Sequence, residues 1–244
     1  MTRSASRLAP SFRATLLIAT LLAAQAARAD AGEDTDFLFR LGMMEGHLII
    51  GHELLAAGRT EMALPHFGHP VRELYDDLSP YVAAKHLVPL DTQLLRLEAA
   101  VAGSPRAPET EALYAETIRI LHQARLATPE SVRASVPQMI RICADTIDAA
   151  AGEYGESVND GKIDALVEYH DSRGYLTETA RQVETLAAAH PDPASQSTIA
   201  RFKTVLAKAQ WIVEPLVPAA EPRASVADYR AVATEAGAVA AGAK

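Results

Sequence analysis

Three stretches of the chain carry apolar side chains at the period of an α-helix, and this pattern limits the fold more than any other feature. Within each stretch the apolar positions recur mostly three or four residues apart, so they line one face of a helix. An isolated amphipathic helix is barely stable in water, because its apolar face has nothing to pack against. The pattern therefore predicts an all-α protein, an up-and-down helical bundle of four or more long helices. The stripes are Val136, Ile140, Cys143, Ile147, Ala150 and Tyr154; Leu166, Tyr169, Leu176, Ala180, Val183 and Ala187; and Ile199, Phe202, Leu206, Ala209 and Val213.

The composition also favours helices over a β-sandwich or barrel. Apolar residues make up 49% of the chain but aromatic residues only 5%, and alanine and leucine, which are good helix formers, are plentiful. Proline and glycine separate the apolar segments. We predict one bundle domain over 30–216, followed by a weak helix and a mobile tail over 217–244. The predicted helices are 34–57, 70–86, 91–102, 109–127, 129–158, 160–189, 194–216 and 225–238.

The first 29 residues have the pattern of a cleavable secretory signal peptide. Arg3 and Arg13 belong to a basic start, the run 14–24 is apolar, and residues 27–29 offer a small-x-small cleavage site. We therefore predict export to the periplasm, with Asp30 as the first residue of the mature chain. No later stretch has 18 uninterrupted apolar residues, so the sequence predicts no membrane-spanning helix.

The charge and the cysteine count exclude several classes of partner and cofactor. The whole chain has a net charge of −8. Residues 1–29 carry four arginines and no acidic residue. The rest of the chain therefore has 19 basic and 31 acidic side chains, which gives it a net charge of −12. Such a surface repels nucleic-acid phosphates and anionic lipids and tolerates cations, so we expect no nucleic-acid partner. Cys143 is the only cysteine, which excludes an internal disulfide and the two-cysteine attachment of a c-type haem.

Five of the eight histidines lie in residues 42–86, which makes this segment the candidate site. On the predicted helix 34–57, Glu45 and His52 fall at the edge of the apolar face, where a buried polar group needs a partner. These two residues lie roughly 10 Å apart along the helix axis, so they cannot easily hold one ion by themselves. A complete site therefore needs ligands from a second element.

The segment 65–73 is the expected source of those ligands. Pro70 suits the first position of a helix and favours an extended cap geometry at His69. Glu73 then lies one turn further along, and His66 lies just outside the helix. Imidazoles and carboxylates together suit Fe, Cu or Zn. We predict a site for a divalent transition metal, with ligands from His52, His66, His69, Glu73 and Glu45.

Two other interpretations of these polar residues stay open. The same side chains could form a hydrogen-bond network in a structural or interaction bundle without metal, or His and Met residues could bind a b-type haem. Catalysis has no support, because the chain contains no Gly-x-Ser-x-Gly, no His-Glu-x-x-His and no glycine-rich phosphate loop. We expect no enzymatic activity.

Two segments of the chain resemble the imelysin-like family of periplasmic helical-bundle proteins. The first is the Ala57-Gly58-Arg59 turn, followed by Arg-Glu-Leu-Tyr-Asp-Asp-Leu-Ser-Pro over 72–80. The second lies within 145–186 and contains Glu-Ser-Val-Asn-Asp-Gly-Lys-Ile at 156–163 and Tyr-His-Asp-Ser at 169–172. Together they cover about a third of the mature chain.

The resemblance implies a periplasmic bundle of two four-helix halves that handles iron or another metal. The metal motif of the family is His-x-x-Glu after a glycine, and the chain has no His-x-x-Glu; it has His69-x-x-x-Glu73 instead. The predicted ligands therefore rest on the residues of segment 42–86 and not on the family. We expect a non-enzymatic protein of metal uptake or handling, with a periplasmic or membrane transport partner.

Overall fold

The computed structural model describes residues 12–243, with side chains from residue 32 onward, and this part of the chain is almost entirely helical. The all-α prediction is confirmed. The helices are α1 Phe12–Ala56, α2 Thr60–His69, α3 Tyr75–Ala84, α4 Leu90–Gly103, α5 Pro108–Arg125, α6 Glu130–Arg133, α7 Val136–Ser157, α8 Leu166–Ala189, α9 Pro193–Ile212 and α10 Val226–Ala241.

Two apolar cores lie on opposite sides of helix α1. One core joins α1 to α2, α3, α4 and α5, and includes Phe37, Leu41 and Leu48 of α1. The other consists mainly of α7, α8, α9 and α10, with Leu38 from α1. Because it contributes to both cores, α1 is the central helix, and its buried polar residues Glu45 and His47 lie between the two halves of the molecule.

The segment before the predicted helix 70–86 is itself helical. Helix α2 ends at His69, and the chain continues through a π-helical turn over Pro70–Leu74 into α3. The predicted extended geometry at His69 is wrong: its φ and ψ are −55° and −45°, which are helical. Proline lacks an N–H and clashes with the carbonyl four residues earlier, and a wider turn at this point lets the helix continue past Pro70.

The connections around α7 and α8 also differ from the predicted single helices. Ser135 caps α7, its hydroxyl accepting a hydrogen bond from the Gln138 N–H, and this cap separates α7 from the short α6. A small antiparallel hairpin, β1 Val158–Asn159 and β2 Lys162–Ile163, reverses the chain before α8. Asp160 and Gly161 form its turn with φ of 49° and 75°, a combination that Asp and Gly tolerate.

The segment after residue 216, predicted as a weak helix with a mobile tail, contains α10. A capping box between Ser225 and Asp228 starts this helix, and Tyr229 and Ala236 are fully buried in the second core. Helix α10 is thus a full member of the bundle.

Part of the predicted signal peptide, residues 1–11, lies outside the described residues. In the described part, α1 begins at Phe12 and continues without a break past Asp30. No helix within 12–243 combines the length and the apolar character needed to cross a membrane.

Candidate metal centre

Helices α1 and α8 cross at a glycine pair, and this crossing positions the site. A Cβ added to Gly174 would lie 2.4 Å from the backbone oxygen of Gly46, so only glycine permits this approach. His47 follows Gly46 on α1, and Asp171 lies one turn before Gly174 on α8. The close contact brings these two side chains together, although they are 124 residues apart in sequence.

Helix α2 supplies two more imidazoles from one of its faces. Because the chain stays helical up to Pro70, His66 and His69 lie three residues apart on neighbouring turns and point in similar directions. His66 is completely buried, and the side chain of His69 is 21% exposed. The centre is therefore enclosed on the His66 side and open to solvent near His69.

The carboxylate of Asp171 is the common hydrogen-bond acceptor for three rings. Nδ1 of His47 and Nδ1 of His66 donate to Oδ1 at 2.6 and 2.7 Å, and Nδ1 of His69 donates to Oδ2 at 3.2 Å. The Tyr175 hydroxyl and Nε2 of His47 form a hydrogen bond of 2.9 Å, which fixes the orientation of that ring. His47, His66, His69 and Asp171 are called the Asp171 centre below.

The three imidazoles are the groups that stabilise the charged form of Asp171. Burial by itself would raise the pKa of Asp171, but the charge of His47 and the hydrogen bonds from the three rings outweigh it and hold the pKa far below its usual range. Burial lowers the pKa of His66, whereas the hydrogen bond to Asp171 raises the pKa of His69. Within 32–243, no lysine or arginine forms an ion pair with Asp171.

The geometry of the Asp171 centre fits a metal ion. One ligand atom from each of the four residues lies within 4.8 Å of every other, and the ligands of a tetrahedral ion at 2.0–2.1 Å are about 3.3 Å apart. Nε2 of His66 is buried and has no hydrogen-bond partner, so this nitrogen is not used by the hydrogen-bond network. Small movements would let the four residues surround one ion.

Two further carboxylates face the open side of the centre. Oε1 of Glu73 lies 3.8 Å from Nε2 of His69. Burial, together with the nearby charge of Asp171, raises the pKa of Glu153 to about 7. Glu73, with 55% of its side chain exposed, adds negative charge on the solvent side of the centre, whereas the raised pKa of Glu153 reduces its charge near neutral pH.

Residues 129–244 match the family model of the iron permease-associated 4-helix bundle domain. This is a different family from the imelysin-like one that segments 57–80 and 145–186 resemble. The matched residues contain α6 to α10, and hence the second core and Asp171. Comparisons with curated proteins and with solved structures found no match.

The match divides the Asp171 centre between two parts of the chain. Asp171 belongs to the matched four-helix region, whereas His47, His66 and His69 precede it. Any site built here therefore needs the domain and the helices packed against it, and residues 129–244 alone supply only one of the four ligand residues.

The structure brings together only some of the residues that the sequence analysis selected. His66 and His69 lie in the Asp171 centre, and Glu73 lies beside it. His52 is elsewhere: its Nε2 donates to the Glu111 carboxylate at 2.9 and 3.0 Å, and its ring stacks on Tyr114 with 4.1 Å between centroids. The predicted convergence of His52 with the other two histidines is not observed, because His52 lies more than one turn beyond His47 and faces α5.

Glu45 belongs to a second polar cluster. Its two oxygens accept hydrogen bonds from Nε2 of His122 and from Nη2 of Arg125, both at 2.9 Å. The same Nη2 donates to Glu178 at 2.7 Å. We call Glu45, His122, Arg125 and Glu178 the Arg125 cluster. Since Arg125 already neutralises Glu45, this carboxylate is held away from the Asp171 centre.

Sequence reasoning missed His47 and Asp171. His47 shares a side of α1 with the apolar residues Met43, Ile50 and Leu54, so it does not lie at the edge of the apolar face where Glu45 and His52 were selected. Asp171 lies in an unbroken buried run, 169–172, near the start of α8. The signal that could have found Asp171 was a stretch of polar residues between apolar segments of one long helix. Such a pattern indicates a helix that is packed on all sides.

Proposed function

We propose that the protein binds a divalent transition-metal ion through His47, His66, His69 and Asp171. The observation that carries this proposal is a buried carboxylate among three imidazoles, to which no lysine or arginine of residues 32–243 is paired. A metal ion would compensate that charge and use the nitrogen and oxygen atoms that are already within reach of one another. Such a ligand set suits Fe, Cu and Zn.

We further propose that the protein handles metal during uptake, without enzymatic activity, in the periplasm. The similarity of residues 129–244 to an iron permease-associated domain supports iron as the cargo and a membrane transporter as the partner. The basic and apolar pattern of residues 1–29 supports export. Intact-mass measurement of a periplasmic fraction tests export: the expected chain begins at Asp30, and a chain that retains residues 1–29 would contradict cleavage.

Metal binding is tested with untagged protein. Elemental analysis of the purified protein and calorimetric titration with Fe(II), Cu(II) and Zn(II) should show one bound ion per chain. The Asp171→Asn variant should bind at least about 100-fold more weakly, because it removes both a ligand and the only negative charge of the centre. The matched control is Asp160→Asn in the exposed hairpin turn, which should bind like wild type.

The hydrogen-bond network is the second candidate, because every Nδ1 of the three rings already donates to Asp171. It predicts that none of the three ions binds and that the melting temperature is the same with metal and with a chelator. Under this alternative, Asp171→Asn lowers the free energy of unfolding by about 1–3 kcal/mol in the absence of metal. The haem alternative fits less well, since the Asp171 carboxylate occupies the space between the rings.

A further inference from the structure

A cavity of about 530 Å³ lies against the Arg125 cluster, on the other side of the Gly46–Gly174 crossing from the Asp171 centre. It is bounded by α1, α5, α6, α7 and α8. This volume is within the range of small-molecule sites in proteins. Its lining contains none of the four residues of the Asp171 centre, so what it binds is independent of the proposed metal site.

The cavity has an apolar wall that reaches the solvent. Met139 and Leu186 form part of the wall, and Leu126 stands at the edge with 64% of its surface exposed. Large apolar side chains exposed beside a cavity indicate contact with the apolar part of a ligand.

The polar part of the lining contains more unused donors than acceptors. Arg133 and Arg181 line the cavity, and neither guanidinium has a hydrogen bond or ion pair within the described residues. Nε of Arg133 and Nε2 of His190 are buried without a partner. Each guanidinium carries five N–H donors in a planar fork, so the cavity can bind a ligand that is rich in acceptors.

The carboxylates of the lining do not satisfy these donors. Glu45 uses both of its oxygens on His122 and Arg125, and Glu178 accepts from Arg125 and Gln182 through one oxygen. Burial raises the pKa of Glu178 to about 7, which reduces its negative charge near neutral pH. Glu130, the remaining carboxylate, stands at the start of α6 and is exposed.

We propose that this cavity binds a small organic dicarboxylate with an apolar spacer. Arg133 and Arg181 would each bind one carboxylate group, since the guanidinium fork matches a carboxylate with two parallel hydrogen bonds. Leu126, Met139 and Leu186 would contact the spacer. Arg181 interacts electrostatically with Glu178, but neither guanidinium is hydrogen-bonded within residues 32–243, so in a chain with a net charge of −8 the local geometry of the two guanidinium groups selects the anion, and not the overall field.

The test uses the mature full-length protein with succinate, glutarate and adipate as probes, in calorimetry and thermal melts. At least one of the three should bind, and its neutral diamide should not. Arg133→Gln and Arg181→Gln should each weaken binding by about tenfold or more, whereas Arg201→Gln, an exposed arginine of α9 outside the cavity, should have no effect. Arg181→Lys keeps the charge but not the fork and should fall between wild type and Arg181→Gln.

Several results would overturn the proposal. These are no binding of any of the three acids, equal binding of the diamides, or wild-type affinity in both glutamine variants. Inorganic phosphate that binds as tightly as the best dicarboxylate would show a general anion site instead. Circular dichroism of each variant checks its folding, and Arg181 is exposed, so its substitution leaves the core intact.

Discussion

The Asp171 centre and the Arg125 cluster lie on opposite sides of the same helix crossing and differ in one component. Both contain buried carboxylates and imidazoles from α1 and α8 or the helices packed on them. Arg125 places a permanent cation between Glu45 and Glu178, whereas within residues 32–243 the ion pairs of Asp171 are all with imidazoles. Arginine stays protonated at any physiological pH, while an imidazole can lose its proton and bind a metal.

This difference separates a structural ion-pair cluster from a candidate metal site. In the Arg125 cluster the positive charge is part of the chain, so the carboxylate Glu45 needs no ion, and its hydrogen bonds to His122 and Arg125 lower its pKa despite burial. In the Asp171 centre the compensating charge comes from protons on the rings, which a metal ion can replace. Substitutions on either side of the crossing should therefore affect different properties.

The largest effect is expected at the crossing itself. Gly174→Ala would place a Cβ 2.4 Å from the Gly46 carbonyl oxygen, so α1 and α8 must separate and both polar clusters lose their geometry. We expect a loss of about 4 kcal/mol or more in the free energy of unfolding, measured by denaturant titration. Gly152→Ala on α7 is the control, because its Cβ would meet nothing within 4 Å; it should be neutral or stabilising. Equal effects of both substitutions would contradict the tight crossing.

Removal of the cation should destabilise the protein without affecting metal binding. Arg125→Gln leaves Glu45 and Glu178 buried without their shared partner, and we expect the free energy of unfolding to fall by about 3 kcal/mol. Arg119→Gln removes only an exposed pair with Glu116 and should leave the free energy of unfolding nearly unchanged. Metal affinity, measured by calorimetry, should stay within about twofold of wild type. A large loss of metal affinity in Arg125→Gln would show that the two clusters are not separate.

The Arg125 cluster should also make stability depend on pH. The pKa of Glu178 is about 7 in the folded protein, raised by burial from an ordinary value of 4.5. Between these two values the folded state holds a proton that the unfolded state has released, so stability falls as pH rises from about 4.5 to 7. Glu178→Gln cannot ionise and should reduce this fall by about 2–3 kcal/mol. Denaturant titrations of wild type and Glu178→Gln from about pH 4.5 to 8 measure the free energy of unfolding at each pH. The same pH dependence in both proteins would contradict the raised pKa.

The smallest expected effect distinguishes two histidines that the sequence analysis treated alike. His69→Ala removes one imidazole from the Asp171 centre and should weaken metal binding by about tenfold or more, with a much smaller change in metal-free stability. His52→Ala should leave metal affinity unchanged, because His52 contacts Glu111 and Tyr114 instead. Calorimetric titration of both variants measures the two affinities. If His52→Ala weakens metal binding and His69→Ala does not, His52 is a ligand and His69 is not.

Much of the fold was predictable because helical periodicity is a local property. The stripe from Val136 to Tyr154 lies on the buried face of α7, and Ile199, Phe202 and Leu206 are buried in α9. The errors fall where several weak local preferences compete. No helix was predicted over 58–69, but α2 forms there despite Pro65, because packing against α1 and α4 outweighs the lost backbone hydrogen bond, and the π-helical turn relieves the clash at Pro70.

The site was predictable only in part, since its members come from three separated segments. His66 and His69 stand out because they are close in sequence beside a proline. Asp171 could not be connected to them without the packing of α8 on α1, which depends on the Gly46–Gly174 contact. His52 and Glu45 were plausible partners by spacing along α1, but spacing does not determine which neighbouring helix each side chain meets.

By itself the sequence determined the helical class, the histidine-rich segment 42–86 and the acidic charge, because these depend on composition and on residues close together in the chain. Only the tertiary structure decided which carboxylate acquired a permanent cation. Arg125 reaches Glu45 across 80 residues, and three imidazoles reach Asp171 across 102 to 124 residues. Burial makes each of these pairings energetically decisive, and burial is a property of packed helices, not of any single segment.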